Sequence, residues 1–372
     1  MRRSLLVALV GIVVIGAAIT SAAIRDPRSA PSSARTPTGT SARPIVPEET
    51  STTTSTTRPR RGSGEPVVFA FGGDVHFEGS LRSQLAADPY GMFAPIAAEL
   101  GAADIAMVNL EAAITEGGTP EPKAYNFRTP ATALAALSSA GVDAVSIANN
   151  HGVDYGPTGL ADTLAAKAAS PIPVLGVGNN AFEAYAPWQT VVKGQRISAF
   201  GATDVLDEQF YSTWPATDLQ AGIASAKDAN QARLVAAVAA SRAVSDTIVV
   251  YLHWGVEGST CPSTRQQELA QSLVAAGADI VVGSHAHRVQ GGGRLGTAFV
   301  DYGLGNFVFY NESGESGRTG ILSVTATGRD VDAYQWKPAR IVGGIPRLLT
   351  SPDSDAAVAA WDAQRACTGL TP

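Results

Sequence analysis

VSIANNHGVDYG, residues 145–156, joins an apolar run to a sudden cluster of polar side chains. The predicted strand begins two residues before this stretch: DAVSIA, residues 143–148, has the apolar character of a buried β-strand. Directly after it, the chain places amide, imidazole and carboxylate groups: Asn149, Asn150, His151 and Asp154. In α/β proteins, ligands bind in the crevice at the carboxyl ends of strands. The stretch therefore predicts both a strand of an α/β sheet and part of a functional site.

The same arrangement follows four further apolar segments, at 67–71, 104–109, 247–252 and 279–283. These predicted strands lead into motifs that supply Asp74 and His76, Asn109 and Glu111, His253 and Glu257, and His285 and His287. All five histidines of the chain fall in motifs of this kind. Because ligand crevices form at the carboxyl ends of strands, we expect these side chains to share one site.

Short apolar segments alternate with longer Ala/Leu-periodic segments from Glu65 onward, and this alternation indicates the fold class. Further strands are predicted at 298–303 and 306–310, and helices at 131–140, 158–169, 226–242 and 264–276. Strands that are apolar throughout belong to sheets covered by helices. The pattern predicts an α/β fold in a single folded domain, with no internal repeat.

Composition and charge limit the functional classes. The chain has 372 residues, of which 45% are hydrophobic, and this suffices for a large core. Its net charge is −6, whereas a nucleic-acid surface needs clustered Lys and Arg. We therefore exclude nucleic acid as a partner.

The N-terminus predicts export. A basic start is followed by an apolar stretch that ends near Ile24, which is typical of a secretory signal. The stretch is also long enough to span a bilayer, so cleavage with secretion and retention as an anchor both stay open. In either case we expect the folded domain outside the membrane. The predicted parts are a signal peptide or anchor at 1–24, a disordered Ser/Thr/Pro-rich linker at 25–64, a domain at 65–350 and a C-terminal segment at 351–372.

Cys261 and Cys367 are the only cysteines, too few for a disulfide scaffold or a thiolate metal site. In an oxidising compartment they could pair and tie the C-terminal segment to the loop after HWGVEG. The sequence leaves this pairing open, because it does not give the Cα separation that a bridge requires.

The donor types in the motifs indicate a metal site. Imidazoles with carboxylates and an amide, and no thiolate, suit divalent cations such as Mn, Fe or Zn. Asp74 and His76 are two positions apart, as are His285 and His287, so each pair would lie on one face of an extended segment. Two ions that share a bridging carboxylate would use about this many ligands and could clamp the oxygens of a phosphoryl-type displacement.

The order of these motifs resembles that of the calcineurin-like metallophosphoesterase superfamily. In detail it is similar to the CapA branch, associated with capsule and poly-gamma-glutamate production. The segments that carry this resemblance span residues 66–310: GGDVHFEG, NLEAAIT, KAYNFRTP, SIANNHGVDYG, HWGVEG, GSHAHRVQG and DYGLGNFVF. The resemblance implies two mixed β-sheets packed face to face and flanked by helices, a four-layer sandwich.

The resemblance also implies a dinuclear site and a role for each residue. One metal would be held by Asp74, His76, Glu111 and His287. The other would be held by Glu111, Asn150, His253 and His285, with Glu111 or Asp74 bridging. His151 would be the acid that protonates a leaving oxygen, with Asn149 and Asp154 orienting it. Water activated by the metals would be the nucleophile.

Two departures from the superfamily pattern stand out. Asn109-Leu110-Glu111 replaces the usual Gly-Asp, so the bridging side chain is longer and could widen the metal pair. Gly152 stands where Asp usually follows the motif histidine. His76 restores an Asp-x-His motif that many CapA-like proteins replace with an apolar residue.

Lys123 and Arg128 suggest how a substrate would be bound. They flank two aromatic residues in a loop of an acidic protein, and Arg suits planar recognition of carboxylate or phosphate. We expect them to receive an anionic polymer or phosphoester, with further contacts from Asn149, Glu257 and Asn306.

Two functions remain open. One is an envelope-facing phosphoesterase-like enzyme of capsule, poly-gamma-glutamate or related polymer metabolism, working beside membrane-bound capsule synthesis components. The other is a non-catalytic, metal-containing module that binds an anionic polymer and helps to export or anchor it. A fold alone does not separate these functions.

Overall fold

The computed structural model describes residues 60–372, and the predictions for 1–24 and for residues 25–59 of the linker lie outside them. The strands are β1 (Val67–Val75), β2 (Ile105–Leu110), β3 (Ala113–Ile114), β4 (Arg128–Thr129), β5 (Ala144–Ser146), β6 (Val174–Leu175), β7 (Val177–Gly178), β8 (Trp188–Val192), β9 (Gln195–Thr203), β10 (Gly222–Ile223), β11 (Thr247–Trp254), β12 (Ile280–His285), β13 (Gly292–Leu295), β14 (Ala298–Asp301), β15 (Asn306–Val308), β16 (Arg318–Thr327), β17 (Asp330–Val342) and β18 (Ile345–Leu348). The α-helices are α1 (Ser80–Ala87), α2 (Ala94–Leu100), α3 (Thr132–Ser139), α4 (Gly156–Ala169), α5 (Ala181–Ala184), α6 (Gln231–Ser241), α7 (Thr264–Ala276) and α8 (Asp353–Gln364).

Two large mixed sheets form the centre of the fold. The first has the order β18-β17-β16-β1-β2-β5-β6, and β15 pairs with the carboxyl end of β1. The second has the order β13-β14-β12-β11-β9-β8. In the first sheet β1, β2, β5 and β6 are parallel, and in the second β9, β11, β12 and β14 are parallel. Five of these parallel strands, β1, β2, β5, β11 and β12, carry the polar motifs at their carboxyl ends.

The alternation of side chains along each strand explains why the sheets pack in layers. In β1, Phe69 and Phe71 belong to a core that lies between the two sheets, together with Tyr251 of β11. The intervening Ala70 belongs to a second core with α1–α4, and Val250 of β11 belongs to a third core with α6 and α7. Successive strand residues point to opposite faces, so each strand contributes to two cores. The predicted sandwich of two sheets flanked by helices is confirmed.

Helix α7 begins and ends at the predicted residues because both ends carry strong capping signals. The Ser263 side chain accepts from the Gln266 backbone N–H, and the Gln266 side chain accepts in return from the Ser263 backbone N–H. Gly277 ends the helix with φ 113°, a conformation that favours glycine. The helix predicted at 226–242 is shorter, because a 3-10 turn at Asp228–Asn230 precedes α6.

The antiparallel part of the fold was not predicted. It comprises β8 with β9 and the meander β16–β17–β18, which adds three strands to the first sheet. Helix α8 lies in the predicted C-terminal segment, and its Trp361 is buried in the core between the sheets, with its ring centroid 6.0 Å from that of Trp336. The folded chain therefore uses residues well beyond 350.

Both ends of the described chain, residues 60–372, contact the rest of the fold. Ser63 donates to the Lys193 carbonyl at 2.9 Å, and Arg61 pairs with Asp332 at 3.1 Å, so residues just before the predicted boundary at Glu65 also contact the domain. Cys261 and Cys367 form a disulfide with a Cα separation of 5.8 Å.

Among residues 60–372, none of the helices combines the length and apolar character that crossing a membrane would need.

Candidate metal centre

The carboxyl ends of both sheets meet at one place. Asp74 at the end of β1 pairs in register with Asn109 of β2, and His253 of β11 pairs with Ser284 of β12. Asn109 Nδ2 donates to Asp74 Oδ1 at 2.8 Å and lies 3.1 Å from His253 Nδ1. The His285 backbone N–H donates to Asp74 Oδ2 at 3.0 Å. Asp74 therefore joins the polar ends of the first sheet to those of the second.

Glu111, His285 and His287 could hold a metal ion. One ligand atom from each lies within 4.8 Å of the other two. Glu111 is fully buried, and among residues 60–372 neither of its carboxylate oxygens has a hydrogen-bond partner; Nδ1 of His285 also has none there. A buried carboxylate without a partner is costly, so the residues present fit a cation.

The pKa values in this group follow from burial and charge. Burial raises the pKa of Glu111 well above its usual range, with the nearby Asp74 adding to the effect. Burial also lowers the pKa of His285 to about 3 and that of His253 well below its usual value, which keeps both imidazoles in the neutral, metal-binding form. Burial opposes ionisation of Asp74, yet hydrogen bonds from His287 and its other donors lower the pKa of this carboxyl.

The remaining predicted ligands, apart from His76, surround these three. His253 Nε2 lies 3.7 Å from Glu111 Oε1 and 2.7 Å from Asn150 Oδ1. His287 Nδ1 lies 2.7 Å from Asn306 Oδ1 and 3.4 Å from Asp74 Oδ2, which leaves Nε2 directed to Glu111 at 3.8 Å. The structure thus brings together six of the residues predicted as ligands: Asp74, Glu111, Asn150, His253, His285 and His287.

His76 has a different environment. Its Nδ1 lies 3.0 Å from the Glu78 backbone nitrogen, and its Nε2 lies 3.3 Å from the Tyr310 backbone nitrogen; a neutral imidazole accepts a hydrogen bond at only one of these atoms. The ring stacks on Phe127, with centroids 4.8 Å apart, and contacts Phe309 edge-on. Both ring nitrogens therefore face backbone donors, and metal binding by His76 stays a prediction.

The backbone at the second histidine pair is unusual. His285 has φ 90° and His287 has φ 50°, a region that residues other than glycine rarely adopt. The prediction that His285 and His287 lie on one face of an extended segment is therefore wrong. Both residues have left-handed backbone conformations, and this backbone brings the two imidazoles together. Such residues cost on the order of 1–3 kcal/mol each and cluster at functional sites, which agrees with a ligand role for this loop.

His151 is held by a buried carboxylate beside the ligand cluster. Its Nδ1 lies 2.6 Å from Asp154 Oδ2, which also accepts from the Phe127 backbone N–H at 2.7 Å. The other oxygen, Oδ1, lies 3.0 Å from Lys123 Nζ. Nε2 of His151 is directed to the cluster, 3.8 Å from Glu111 Oε1.

The amides Asn149 and Asn306, predicted to contact substrate, bind other site residues. Asn149 Nδ2 donates to Asn109 Oδ1 at 3.0 Å, and its Oδ1 accepts from the His151 backbone N–H at 3.0 Å. Asn306 is bonded to His287 and donates to the Ser316 carbonyl at 3.0 Å. Both amides are buried, so their contacts fix the orientation of their neighbours.

The Lys123 charge is neutralised by carboxylates, and the Arg128 guanidinium is held against an aromatic ring. The Lys123 side chain is 7% exposed and pairs with Asp154 and with Asp207 at 3.2 Å. It also donates to the Asn150 carbonyl. The Arg128 guanidinium lies over the Tyr155 ring, 4.7 Å from its centroid, and donates to the Glu116 carbonyl. Substrate binding by either residue stays a prediction.

A cleft of about 390 Å³ opens onto the ligand cluster. His151, His287 and Asn306 lie in its wall, as do Glu257, Arg288, Phe127, Phe309 and the exposed rings of Tyr125 and Tyr310. Arg288 was not among the predicted site residues; its position directly after His287 in GSHAHR was the available signal. A larger apolar groove of about 1000 Å³ lies between α4 and residues 209–221, but the ligand residues do not line it. The cleft is therefore the candidate site.

Two face-to-face mixed sheets, with imidazole, amide and carboxylate groups at their shared carboxyl ends, define a protein of the calcineurin-like metallophosphoesterase fold class. Residues 68–311 match the family described as bacterial capsule synthesis protein PGA_cap, and the chain belongs to this family.

Comparison with known proteins gives relatives in three bacteria. The chain is 31% identical over 217 residues to capsule biosynthesis protein CapA of Bacillus anthracis, which covers 58% of this chain and 52% of that protein. It is 29% identical to PGA biosynthesis protein CapA of Bacillus subtilis, covering 50% and 48%. It is 28% identical to a probable polyglutamine synthesis accessory protein of Mycobacterium tuberculosis, covering 50% of each. The chain thus spans about half the length of the curated relatives it matches.

A solved structure also aligns with the chain. It is the crystal structure of a hypothetical protein from Thermus thermophilus, with 17% identity, a TM-score of 0.47, and coverage of 73% of this chain and 99% of that one. A similarity this distant supports no conclusion about the chain.

Proposed function

We propose that the chain is a dinuclear, metal-dependent hydrolase of the phosphoesterase type, acting on capsule, poly-gamma-glutamate or a related cell-envelope polymer. The observation that supports this most directly is the buried Glu111 carboxylate, whose oxygens have no hydrogen-bond partner and lie beside His285 and His287. A cation is the partner that such a carboxylate needs.

Two divalent ions, Mn, Fe or Zn, would be held by the ligand cluster, with Glu111 or Asp74 bridging. When bound, they would polarise a phosphoryl oxygen and activate water near neutral pH. His76 would join them by turning its ring away from its backbone donors. The first group of ligands is Asp74, His76, Glu111 and His287, and the second is Glu111, Asn150, His253 and His285.

His151 acts as the general acid in this proposal. Because Asp154 holds Nδ1, the proton that reaches a leaving oxygen is carried on Nε2, the atom directed to the cluster. Lys123 pairs with the same carboxylate and donates to the Asn150 carbonyl. Lys123 therefore positions the acid His151, through Asp154, and the amide ligand Asn150, and it affects the reaction only through these residues.

The class of polymer comes from the relatives, whose names refer to capsule, PGA and polyglutamine synthesis. We assign the chain a role in the same kind of pathway, beside membrane-bound synthesis components.

The test combines metal analysis with hydrolysis assays on the full chain, purified without chelator. We expect about two divalent ions per chain, the number that bridged phosphoesterase sites use, and turnover of phosphoester substrates. The double variant His253→Ala/His285→Ala should lose at least one ion and all turnover while keeping its circular dichroism spectrum. Wild-type chain that neither carries nor takes up metal would overturn the proposal. Metal-loaded chain that binds anionic polymer without hydrolysing any phosphoester would instead establish the non-catalytic binding module.

The site of action that we propose is outside the cytoplasm. The disulfide between Cys261 and Cys367 supports this, because disulfides persist in oxidising compartments. A reporter fused after the last residue should be active in its exported form, whether the N-terminus is cleaved or kept as an anchor. Activity of a cytoplasm-only reporter at that position would contradict it.

A further inference from the structure

The cleft is lined by two charged side chains besides the histidines, Arg288 and Glu257. We propose that Arg288 recognises a second anionic group of the substrate, a carboxylate or a phosphate, next to the group that the metals hold. The inference rests on the proposed function and adds a requirement to it: the preferred substrate carries two anionic groups close together.

Arg288 is fixed in place by the same residues that orient a metal ligand. Its Nη1 donates to the His287 carbonyl at 2.7 Å and to Ser316 Oγ at 2.7 Å. The Ser316 carbonyl accepts from Asn306, whose Oδ1 lies 2.7 Å from His287 Nδ1. The Arg288 guanidinium and the His287 imidazole therefore belong to one hydrogen-bond network. Because this network already restricts the Arg288 side chain, little side-chain entropy is lost when an anion binds.

The charge of Arg288 is not neutralised by a protein carboxylate within residues 60–372, since none forms a salt bridge with it. The neighbouring Arg318 differs, because it pairs with Glu315 at 3.0 Å. Lys123 is likewise paired, with Asp154 and Asp207. Arg288 is the one Lys or Arg among the residues that line the cleft, so it is the cation placed to bind an incoming anion.

The chemistry of arginine suits this role. The guanidinium is always charged and presents its donors in a planar fork that matches two oxygens of a carboxylate or phosphate. With Nη1 occupied, the Nη2 and Nε side of the fork remains for the ligand. Arg288 is half-buried at the cleft wall, where water screens the interaction less than at an open surface.

Glu257 places a negative charge in the same cleft as the positive charge of Arg288. Its side chain is exposed and lines the same cleft as Arg288. An anion beside Glu257 would be repelled, whereas one beside Arg288 would be attracted. A substrate with two anionic groups is therefore expected to lie with the second group on the Arg288 side.

Binding of three small probes to the Mn²⁺-loaded full chain tests the inference by calorimetry. Ethyl phosphate carries one anionic group, phosphoglycolate adds a carboxylate, and ethylene glycol bisphosphate adds a phosphate. We expect one or both of the latter to bind about 10- to 100-fold more tightly than ethyl phosphate, the gain typical of a charged hydrogen bond. The probe that gains identifies whether the second group is a carboxylate or a phosphate.

Variants separate Arg288 from a general charge effect. Arg288→Met should abolish the gain, so that all three probes bind the variant with similar affinity, and Arg288→Lys should retain only part of the gain. Arg347→Met removes a positive charge from the exposed side of β18 and should behave as wild type. Glu257→Gln should retain or increase the gain.

Two results would overturn the inference, and they differ in what else they overturn. If ethyl phosphate binds and the other probes bind equally tightly, Arg288 has no such role and the proposed function stands. If no probe binds to metal-loaded chain, both the inference and the phosphoesterase proposal fail.

Discussion

Nδ1 of His151 lies 2.6 Å from Oδ2 of Asp154, and both side chains are buried beside the ligand cluster. The contact leaves Nε2 as the only ring atom of His151 that can exchange a proton with a group in the cleft. It also joins two loops, because the same oxygen accepts from the Phe127 backbone N–H. The orientation of the proposed acid thus depends on residues from both loops.

Replacement of His151 by Asn should separate catalysis from metal binding. The variant should keep its metal content, because His151 is not among the proposed ligands. It should lose roughly 10²–10⁴-fold in turnover, the usual contribution of a positioned acid. Metal analysis and steady-state assays on the same preparation measure both quantities, and full metal content with unchanged turnover would refute the role.

Lys123→Met should destabilise the domain strongly. It removes the partner of Asp154, whose side chain is fully buried, and breaking such a pair typically costs about 3–5 kcal/mol. Urea unfolding gives the free energy of unfolding for the variant and wild type. In the double variant Lys123→Met/Asp154→Asn the uncompensated charge is gone, so the loss should be smaller than in Lys123→Met alone. A loss equal to the sum of the two single variants would mean that the pair is not coupled.

Loss of the disulfide should lower the free energy of unfolding by about 2–4 kcal/mol, since the bridge restricts a long loop in the unfolded chain. The two cysteines are 106 residues apart. Cys261→Ser, Cys367→Ser and the double variant should all show the same loss in urea, because each removes the same bridge. A double variant clearly less stable than either single one would contradict this explanation.

Asp301→Asn should flatten the dependence of stability on pH. Burial raises the pKa of Asp301 to about 7 from an ordinary value of 3.8, so the folded state binds this proton more tightly than the unfolded state does. The stabilisation is present at low pH and is lost as the pH rises from about 4 to about 7. Asn imitates the protonated form, so the variant should gain stability relative to wild type between pH 5 and pH 8. Urea unfolding at both pH values gives this difference, and parallel changes in the two proteins would rule it out.

Local patterns predicted the parallel strands that end in the polar motifs and the residues at those ends, but not the parallel strands β6 and β9. β11 and β12 are buried along their whole length, and their polar motifs come at their carboxyl ends. The position of the motif residues at the ends of buried strands could therefore be inferred from the sequence. The antiparallel strands β16 and β17 escaped prediction because polar residues interrupt their apolar residues, in β16 without any exposed position and in β17 with several. Trp361 was likewise unplaced, since nothing local connects the C-terminal segment to the core between the sheets.

Contacts between distant residues account for the rest of the site. Lys123 was expected to bind an anionic ligand, because a sequence does not reveal that Asp154 and Asp207 occupy its charge. The left-handed backbone at His285 and His287 is equally hidden, since it follows from how β12 ends against Asp74. Motif order indicated which residues share the site, whereas burial and pairing set their roles.

The position of β1 in its sheet determines when the ligand cluster can form during synthesis. Phe71 of β1 pairs with Met107 of β2 on one side and with Leu322 of β16 on the other. A chain that leaves the ribosome N-terminus first carries Asp74 and Glu111 long before His285 and His287 exist. It completes the first sheet only after β16 has followed. Non-local pairing of this kind slows folding, and the complete metal-holding group requires the chain at least as far as His287.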